Sequence, residues 1–107
     1  MPAPPELEGF QRKHLRALAH RRKPVVEVGG AGISAAVRTA LDRALLDHEL
    51  VKVRLRQPED KRAAAQTLVE CSGAALCGVV GHTVILYRPH PQSPEIELPR
   101  RAKPRSN

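Results

Sequence analysis

The stretch Lys23–Ser34, KPVVEVGGAGIS, contains the features that decide the fold. Residues Val25–Val28 predict a strand, Gly29–Gly32 predict a loop, and Ile33–Ser34 predict the start of a helix. Three glycines in four positions free the backbone from the steric limits that a Cβ imposes. The loop therefore lets backbone N–H groups approach an anion at a helix N-terminus, where unpaired N–H groups and a partial positive charge favour phosphate.

The glycine spacing distinguishes this loop from other phosphate-binding motifs. A dinucleotide fold requires G-x-G-x-x-G, and no third glycine stands at that spacing. A Walker loop requires Lys after the last glycine, whereas Ile33 follows Gly32. What remains is G-x-x-G, with Gly29 and Gly32 at its ends and the basic run His20–Pro24 upstream, which is expected to add charge at the same end. The pattern also fits a tight strand-to-helix turn that holds no ligand.

The 107-residue chain is strongly basic, with 18 Lys and Arg against 11 Asp and Glu and a formal net charge of +7. This surplus predicts a polyanionic partner, either nucleic acid or an anionic membrane. No apolar run approaches the roughly 20 residues of a membrane-spanning helix, and the N-terminal segment does not resemble a signal peptide. We therefore expect a cytoplasmic protein that does not span a membrane.

The few cysteines and aromatic residues restrict the possible chemistry. Cys71 and Cys77 do not complete a zinc site, and a disulfide is not expected in the cytosol, so both are interpreted as packing residues. No metal site and no cofactor is predicted. Phe10 and Tyr87 are the only aromatic residues, which counts against RNA binding by base stacking on an aromatic platform.

Hydrophobic periodicity and turn residues predict the remaining elements. Ser34 is expected to cap the second helix, and Gly73 to end the third. Helices are expected over residues 6–19, 34–47 and 58–72, and the other strands over 50–56, 75–80 and 83–87. The resulting order is α-β-α-β-α-β-β, an α/β sandwich with a mixed four-stranded sheet.

The two ends of the chain are expected to lie outside the domain. Residues 1–6 are predicted to be disordered, and residues 7–88 to form the domain. Residues 89–107 are predicted to form a basic, proline-rich, mobile tail that buries no apolar face. Cationic tails of this kind commonly add non-specific affinity for nucleic acid.

A basic face on the first helix is one candidate for binding an anion. Arg12, Arg16 and His20 recur every four residues, with Lys13 beside them, and no acidic residue follows Glu8 in this helix. Because like charges at this spacing repel one another, the pattern suggests an external anion. A solvated helix face has the same pattern.

The second strand carries another basic face. In LVKVRLR, the side chains of Lys52, Arg54 and Arg56 are expected on one side of the strand and those of Val51, Val53 and Leu55 on the other. The basic side fits an anion-binding surface, and it equally fits a solubilising sheet face that discourages aggregation.

The chain resembles the CRM domain, in the single-domain bacterial form of the YhbY-like proteins, in the segments LRALAHRRKPVVEVGGAGIS, ALLDHELVKVRL and VVGHTVILYRP. The resemblance covers about residues 7–88. It implies an RNA-binding module whose topology is similar to that of the C-terminal domain of a bacterial translation initiation factor. Bacterial members are associated with precursors of the large ribosomal subunit, and plant relatives with intron splicing in organelles.

The resemblance implies that RNA is contacted at the G-x-x-G loop and at basic residues around it. The match is incomplete, because Gly30-Ala31 stands where relatives often carry polar residues and His82 where they often carry Lys. Together with the basic faces, these expectations give a predicted RNA-binding set: Arg12, Lys13, Arg16, Arg22, Lys23, Gly29, Gly30, Ala31, Gly32, Lys52 and Arg54.

The leading hypothesis is a monomeric, non-enzymatic RNA-binding protein that acts in assembly of the large ribosomal subunit. One alternative is a small enzyme acting on a phosphorylated substrate at the glycine loop, where Glu27 and Ser34 are the nearest reactive groups. Ser34 is better explained as a helix cap. Another alternative is a protein-interaction adaptor whose charge serves solubility alone.

Overall fold

The computed structural model describes residues 4–100, so the predictions for residues 1–3 and 101–107 lie outside the described part. It contains three helices and four strands in the predicted order: α1 Gly9–Ala19, β1 Val26–Val28, α2 Ala35–His48, β2 Leu50–Leu55, α3 Lys61–Ser72, β3 Ala75–Val80 and β4 Thr83–Tyr87. No helix in this range is long and apolar enough to cross a membrane.

The four strands form one mixed sheet in the order β1-β2-β4-β3. Strands β1 and β2 are parallel, with Glu27 opposite Arg54, because α2 forms the crossover between them. Strand β4 runs antiparallel to both of its neighbours, β2 and β3. The predicted α/β sandwich with a mixed four-stranded sheet is therefore confirmed.

Two apolar clusters hold the helices on opposite faces of the sheet. Helices α2 and α3 cover one face, where Val51, Val53 and Leu55 of β2 are buried, as their alternation predicts. Helix α1 covers the other face. Its cluster consists of Leu15, Ala19, Leu50, Cys77, Ile85 and Tyr87. Because α1 reaches only part of its face, the ends of β2 and β4 near the glycine loop stay outside this cluster.

The predicted cap residues stand where the helices begin and end. The Ser34 hydroxyl accepts the N–H of Val37 at 3.3 Å, and Gly73 ends α3 with a φ of 70°. Helix α1 begins at Gly9 instead of residue 6, since Glu8 caps it through a reciprocal pair of hydrogen bonds with Gln11.

Residues 89–99, called here the strap, pack against the domain, so the prediction that this part is a mobile tail without an apolar face is wrong. Ile96 and Leu98 pack against the α1 cluster, and the Pro99 carbonyl accepts the side-chain amide of Gln11 at 3.2 Å. The strap is anchored by Glu49, only 4% exposed, which follows α2 with a φ of 63°.

The anchor consists of three short hydrogen bonds to one carboxylate. Glu49 Oε2 accepts the backbone N–H of His90 at 2.7 Å, and Oε1 accepts those of Glu95 at 2.9 Å and Ile96 at 2.8 Å. The backbone carbonyl of Glu49 also accepts the N–H of Arg88 at 2.8 Å. A segment without regular secondary structure is thereby fixed on the sheet and α1.

Candidate functional site

The glycine loop is a tight turn, and only its last glycine has backbone angles that require glycine. The N–H of Gly32 donates to the Gly29 carbonyl at 3.0 Å, and the N–H of Ser34 donates to the Gly32 carbonyl at 3.0 Å. Gly32 has a φ of 73°, in the left-handed region that side chains rarely adopt. Gly29 and Gly30 lie outside that region, so other residues fit their backbone angles.

The outer side of the loop is open. A Cβ built on Gly29, Gly30 or Gly32 would meet no atom within 4 Å. Within residues 4–100, the backbone N–H groups of Gly30 and Ala31 donate no hydrogen bond. The loop leads directly into α2, whose first turn carries no acidic side chain that would compete for an anion. The arrangement fits the predicted approach of a phosphate to backbone donors.

The loop forms one wall of a groove of about 860 Å³, called here the glycine-loop groove. The end of β2 and the segment before α3 form a second wall, from Arg54 to Asp60. The hairpin turn at Gly81-His82 forms the third. It is held there because the His82 carbonyl accepts the N–H of Leu55 at 2.7 Å, and the Gly81 carbonyl accepts the ammonium of Lys61 at 3.1 Å.

A second groove, of about 500 Å³, runs beneath α1 and is called here the helix groove. Lys13, Arg16 and His20 line it from the helix, and Lys52 lines it from the sheet. Lys52 and Arg54 occupy the same face of β2, two residues apart, and Arg54 lines the glycine-loop groove. These two side chains connect the grooves into one basic surface.

Three arginines of the predicted set are hydrogen-bonded to backbone carbonyl oxygens within the domain. The guanidinium of Arg16 donates to the Cys77 carbonyl at 2.8 Å, and that of Arg12 donates to the Leu7 carbonyl. The guanidinium of Arg22 donates to the carbonyls of Leu50 at 2.8 Å and His48 at 3.3 Å.

These contacts correct the interpretation of the first helix. Its arginines lack acidic partners because carbonyl oxygens accept their hydrogen bonds, so the pattern needs no external anion. Gly78 makes the packing of Arg16 possible, since a Cβ at that position would lie 2.7 Å from Arg16 Cδ. Lys13, in contrast, is exposed and makes no ion pair or hydrogen bond within the described residues.

The basic run before β1 does not share the end of the sheet where the glycine loop lies. Lys23 precedes β1, and the loop follows it, so three strand residues, about 10 Å, separate the two. Lys23 and Arg22 line a separate depression together with Lys52, whose ammonium donates to the Arg22 carbonyl at 3.0 Å. The expectation that this run adds charge at the loop end is therefore wrong.

Residues absent from the predicted set line the glycine-loop groove, notably Arg56, Gln57 and His82. The N–H of Arg56 donates to the Val28 carbonyl at 2.9 Å, which fixes its backbone beside the loop. The alternation of β2 places Arg56 on the basic face with Arg54, so this pattern was sufficient to add Arg56 to the predicted RNA-binding set. Gln57 had no such signal, because its backbone, with a φ of 47°, ends the regular strand.

The Ser34 hydroxyl and the buried Cys77 thiol have structural roles. The Ser34 hydroxyl caps α2, as expected. Burial raises the pKa of the Cys77 thiol to about 12, an effect that nearby Arg16 and Arg12 only partly oppose. Cys71 and Cys77 are both free thiols, and between residues 4 and 100 no group of three or more His, Cys, Asp or Glu side chains is placed to hold a metal ion.

Known proteins resemble this chain in sequence and in structure. It is 37% identical over 93 residues to an RNA-binding protein of Haemophilus influenzae, covering 85% of this chain and 93% of the relative. It is 36% identical over 95 residues to the probable RNA-binding protein YqeI of Bacillus subtilis, covering 87% of this chain and 99% of the relative.

A solved structure and a protein-family model also match this chain. The solution structure of the hypothetical protein SAV1595 from Staphylococcus aureus matches with a TM-score of 0.76 and 35% identity, covering 88% of this chain and 100% of the other. The model of the CRS1 / YhbY (CRM) domain matches residues 7–88, the range in which the sequence motifs lie. The chain belongs to the CRS1/YhbY (CRM) domain family.

Proposed function

We propose that this protein binds RNA through the glycine loop and the basic face of β2, and that its target is the RNA of large-ribosomal-subunit precursors in the cytoplasm. The observation that carries RNA binding is the open loop, with free N–H groups at Gly30 and Ala31, next to the basic surface of Lys52 and Arg54. The names of the relatives support the class of ligand.

The proposed mechanism is a phosphate clamp made mainly of backbone. One phosphate of the RNA chain accepts the free N–H groups of the loop at the start of α2, as G-x-x-G loops do in KH domains. Arg54 and Lys52 neutralise the following phosphates, since the Lys52 ammonium has two donors besides the one it gives to the Arg22 carbonyl. Lys13 extends the surface along α1. Because phosphate contacts carry little sequence information, we infer that RNA shape provides most of the specificity.

The arginines of α1 and its exit have an indirect part in this proposal. Arg16 donates to the Cys77 carbonyl of β3 and so fixes α1 against the sheet beside the helix groove. Arg22 donates to the Leu50 carbonyl of β2 and fixes the exit of α1, whereas Arg12 donates to the Leu7 carbonyl just before α1. Arg56 and His82 join the proposed contacts because they line the glycine-loop groove. Lys23 lies at the end of β1 away from the glycine loop. In this proposal it contacts RNA only if the RNA chain extends beyond Lys52.

Substitution of Gly30 tests the clamp. Gly30→Glu places a carboxylate beside the N–H groups that receive the phosphate, and we expect a loss of RNA affinity of about tenfold or more. The fold should persist, because a Cβ at this position meets no atom within 4 Å and the backbone is outside the left-handed region. The readouts are circular dichroism, RNA affinity at fixed salt, and co-sedimentation with large-subunit precursors.

Gly30→Ala is the matched control, and it should bind nearly as the unmodified protein does. A folded Gly30→Glu protein with unchanged affinity and unchanged co-sedimentation would disprove the clamp. Loss of co-sedimentation with unchanged affinity for isolated RNA would instead assign the loop to a protein neighbour in the particle. RNA binding without any co-sedimentation of the unmodified protein would remove the ribosomal target and leave the RNA clamp.

A further inference from the structure

Glu27 is an acidic side chain on the basic face of β1 and β2, whereas Glu59 and Asp60 line the glycine-loop groove from the segment before α3. Glu27 is the single acidic residue of the parallel strands β1 and β2, and it directly precedes Val28 and the glycine loop. Its register partner is Arg54, so the two side chains project from the same face of the sheet. Its carboxylate lies 3.4 Å from the guanidinium of Arg56.

This ion pair is weak enough for a phosphate to replace it. The side chains of Arg56 and Glu27 are 64% and 51% exposed, and the 3.4 Å separation is long for a charge-assisted hydrogen bond. Exposed pairs of this kind contribute little to the stability of a protein. The backbone of Arg56 is fixed beside the loop by its bond to Val28, so the guanidinium can turn toward the groove while the chain stays in place.

We infer that Glu27 is an internal competitor of RNA, which holds Arg56 in the free protein and lowers the affinity of the glycine-loop groove for phosphate. This inference rests on the proposed function. When a phosphate chain enters the groove, Arg56 leaves Glu27, and the unpaired carboxylate remains beside the chain. Both the broken pair and the repulsion oppose binding, so the affinity is set below the value that the cationic side chains alone would give.

Neutralising Glu27 tests this directly. We expect Glu27→Gln to increase affinity for a large-subunit ribosomal RNA transcript about three- to tenfold at low salt, with a smaller gain at high salt. The matched control is Glu70→Gln on α3, which changes the net charge equally but lies on the helix that covers the opposite face of the sheet. Its carboxylate bonds only to Gln66 among the described residues. The control should change affinity by less than twofold.

A double-mutant cycle separates competition for Arg56 from simple repulsion. If Glu27 competes for Arg56, the gain from Glu27→Gln should be clearly smaller when Arg56→Gln is already present. An unchanged gain in that background would overturn the competitor role. Thermal unfolding should shift by no more than about 2 °C in either single variant, since the pair is exposed.

The remaining outcomes distinguish this inference from the proposed function. If the unmodified protein binds RNA and the two glutamate variants behave alike, the inference fails and the proposed function stands. If neither the unmodified protein nor any variant binds RNA, the proposed function fails. Binding that is detected only after Glu27→Gln would support the inference, because it would show that the carboxylate suppresses the affinity.

Discussion

Replacing Glu49 by Gln should release the strap from the domain. The carboxylate accepts three backbone N–H groups at 2.7 to 2.9 Å and is 4% exposed. Gln keeps the shape but has a single acceptor oxygen, so at least one N–H meets an NH₂ group and stays unsatisfied. Hydrogen bonds to a charged group contribute about 1.5–3 kcal/mol each, and neutral ones roughly half as much.

The expected loss in the free energy that holds the strap is therefore about 2–4 kcal/mol, which corresponds to a fall in amide protection of about 30- to 1000-fold. Hydrogen exchange measured at the amides of His90, Glu95 and Ile96 reports it. The control is Glu97→Gln, which removes an exposed carboxylate from the same strap. Equal protection of these three amides in Glu49→Gln and Glu97→Gln would refute the anchoring role of Glu49.

The same anchor should fail in acid. Burial tends to raise the pKa of Glu49, but the N–H groups of His90, Ile96 and Glu95 and the charge of His90 outweigh it, so the pKa lies below its ordinary value of 4.5. A carboxyl with a lowered pKa stabilises the folded form above its ordinary pKa, and this contribution disappears as the pH falls through the lowered value. Protection of the strap, corrected for intrinsic exchange rates, should be constant above about pH 5 and decrease below it.

Two further predictions concern the thiols and the basic end of the chain. Cys77 should resist alkylation at neutral pH while Cys71 reacts, because burial raises the pKa of Cys77 to about 12; equal labelling of both thiols in the folded protein would contradict this. Deleting residues 101–107 removes Arg101, Lys103 and Arg105. The salt dependence of binding to single-stranded RNA should then decrease by about 0.7 for each phosphate that these side chains no longer neutralise, and affinity should fall for all RNAs alike. A weaker affinity for one preferred RNA alone would make the segment a specificity element instead.

Much of the fold is accessible from local sequence. Strands β3 and β4 begin and end where their apolar runs and the Gly81-His82 turn predict, and Ser34 and Gly73 cap the helices as expected. The pairs Val51–Val53 and Lys52–Arg54 separate to opposite faces because a strand alternates. Each of these features depends on residues within a few positions of one another.

The features that sequence reasoning missed depend on contacts between distant residues. The acceptors of Arg12 and Arg16 are backbone carbonyls, which every residue possesses, so no side chain marks them. The strap is held by Glu49, which is 41 to 47 residues away in sequence. The alternating pattern of β2 gives no sign that Glu49, the residue just before this strand, is buried. Its composition alone made the strap resemble a disordered tail.

Docking of the strap changes where a fragment of this domain should be cut. The family model ends at Arg88, whereas Ile96 and Leu98 still cover the α1 cluster beyond it. A fragment that stops at residue 88 would leave this cluster partly uncovered and the Glu49 carboxylate without its three donors. Such a fragment would present an apolar patch beside a carboxylate that has lost its hydrogen-bond donors, and exposed apolar patches favour aggregation during expression. For crystallisation or for fusion to a second module, the boundary belongs after Pro99.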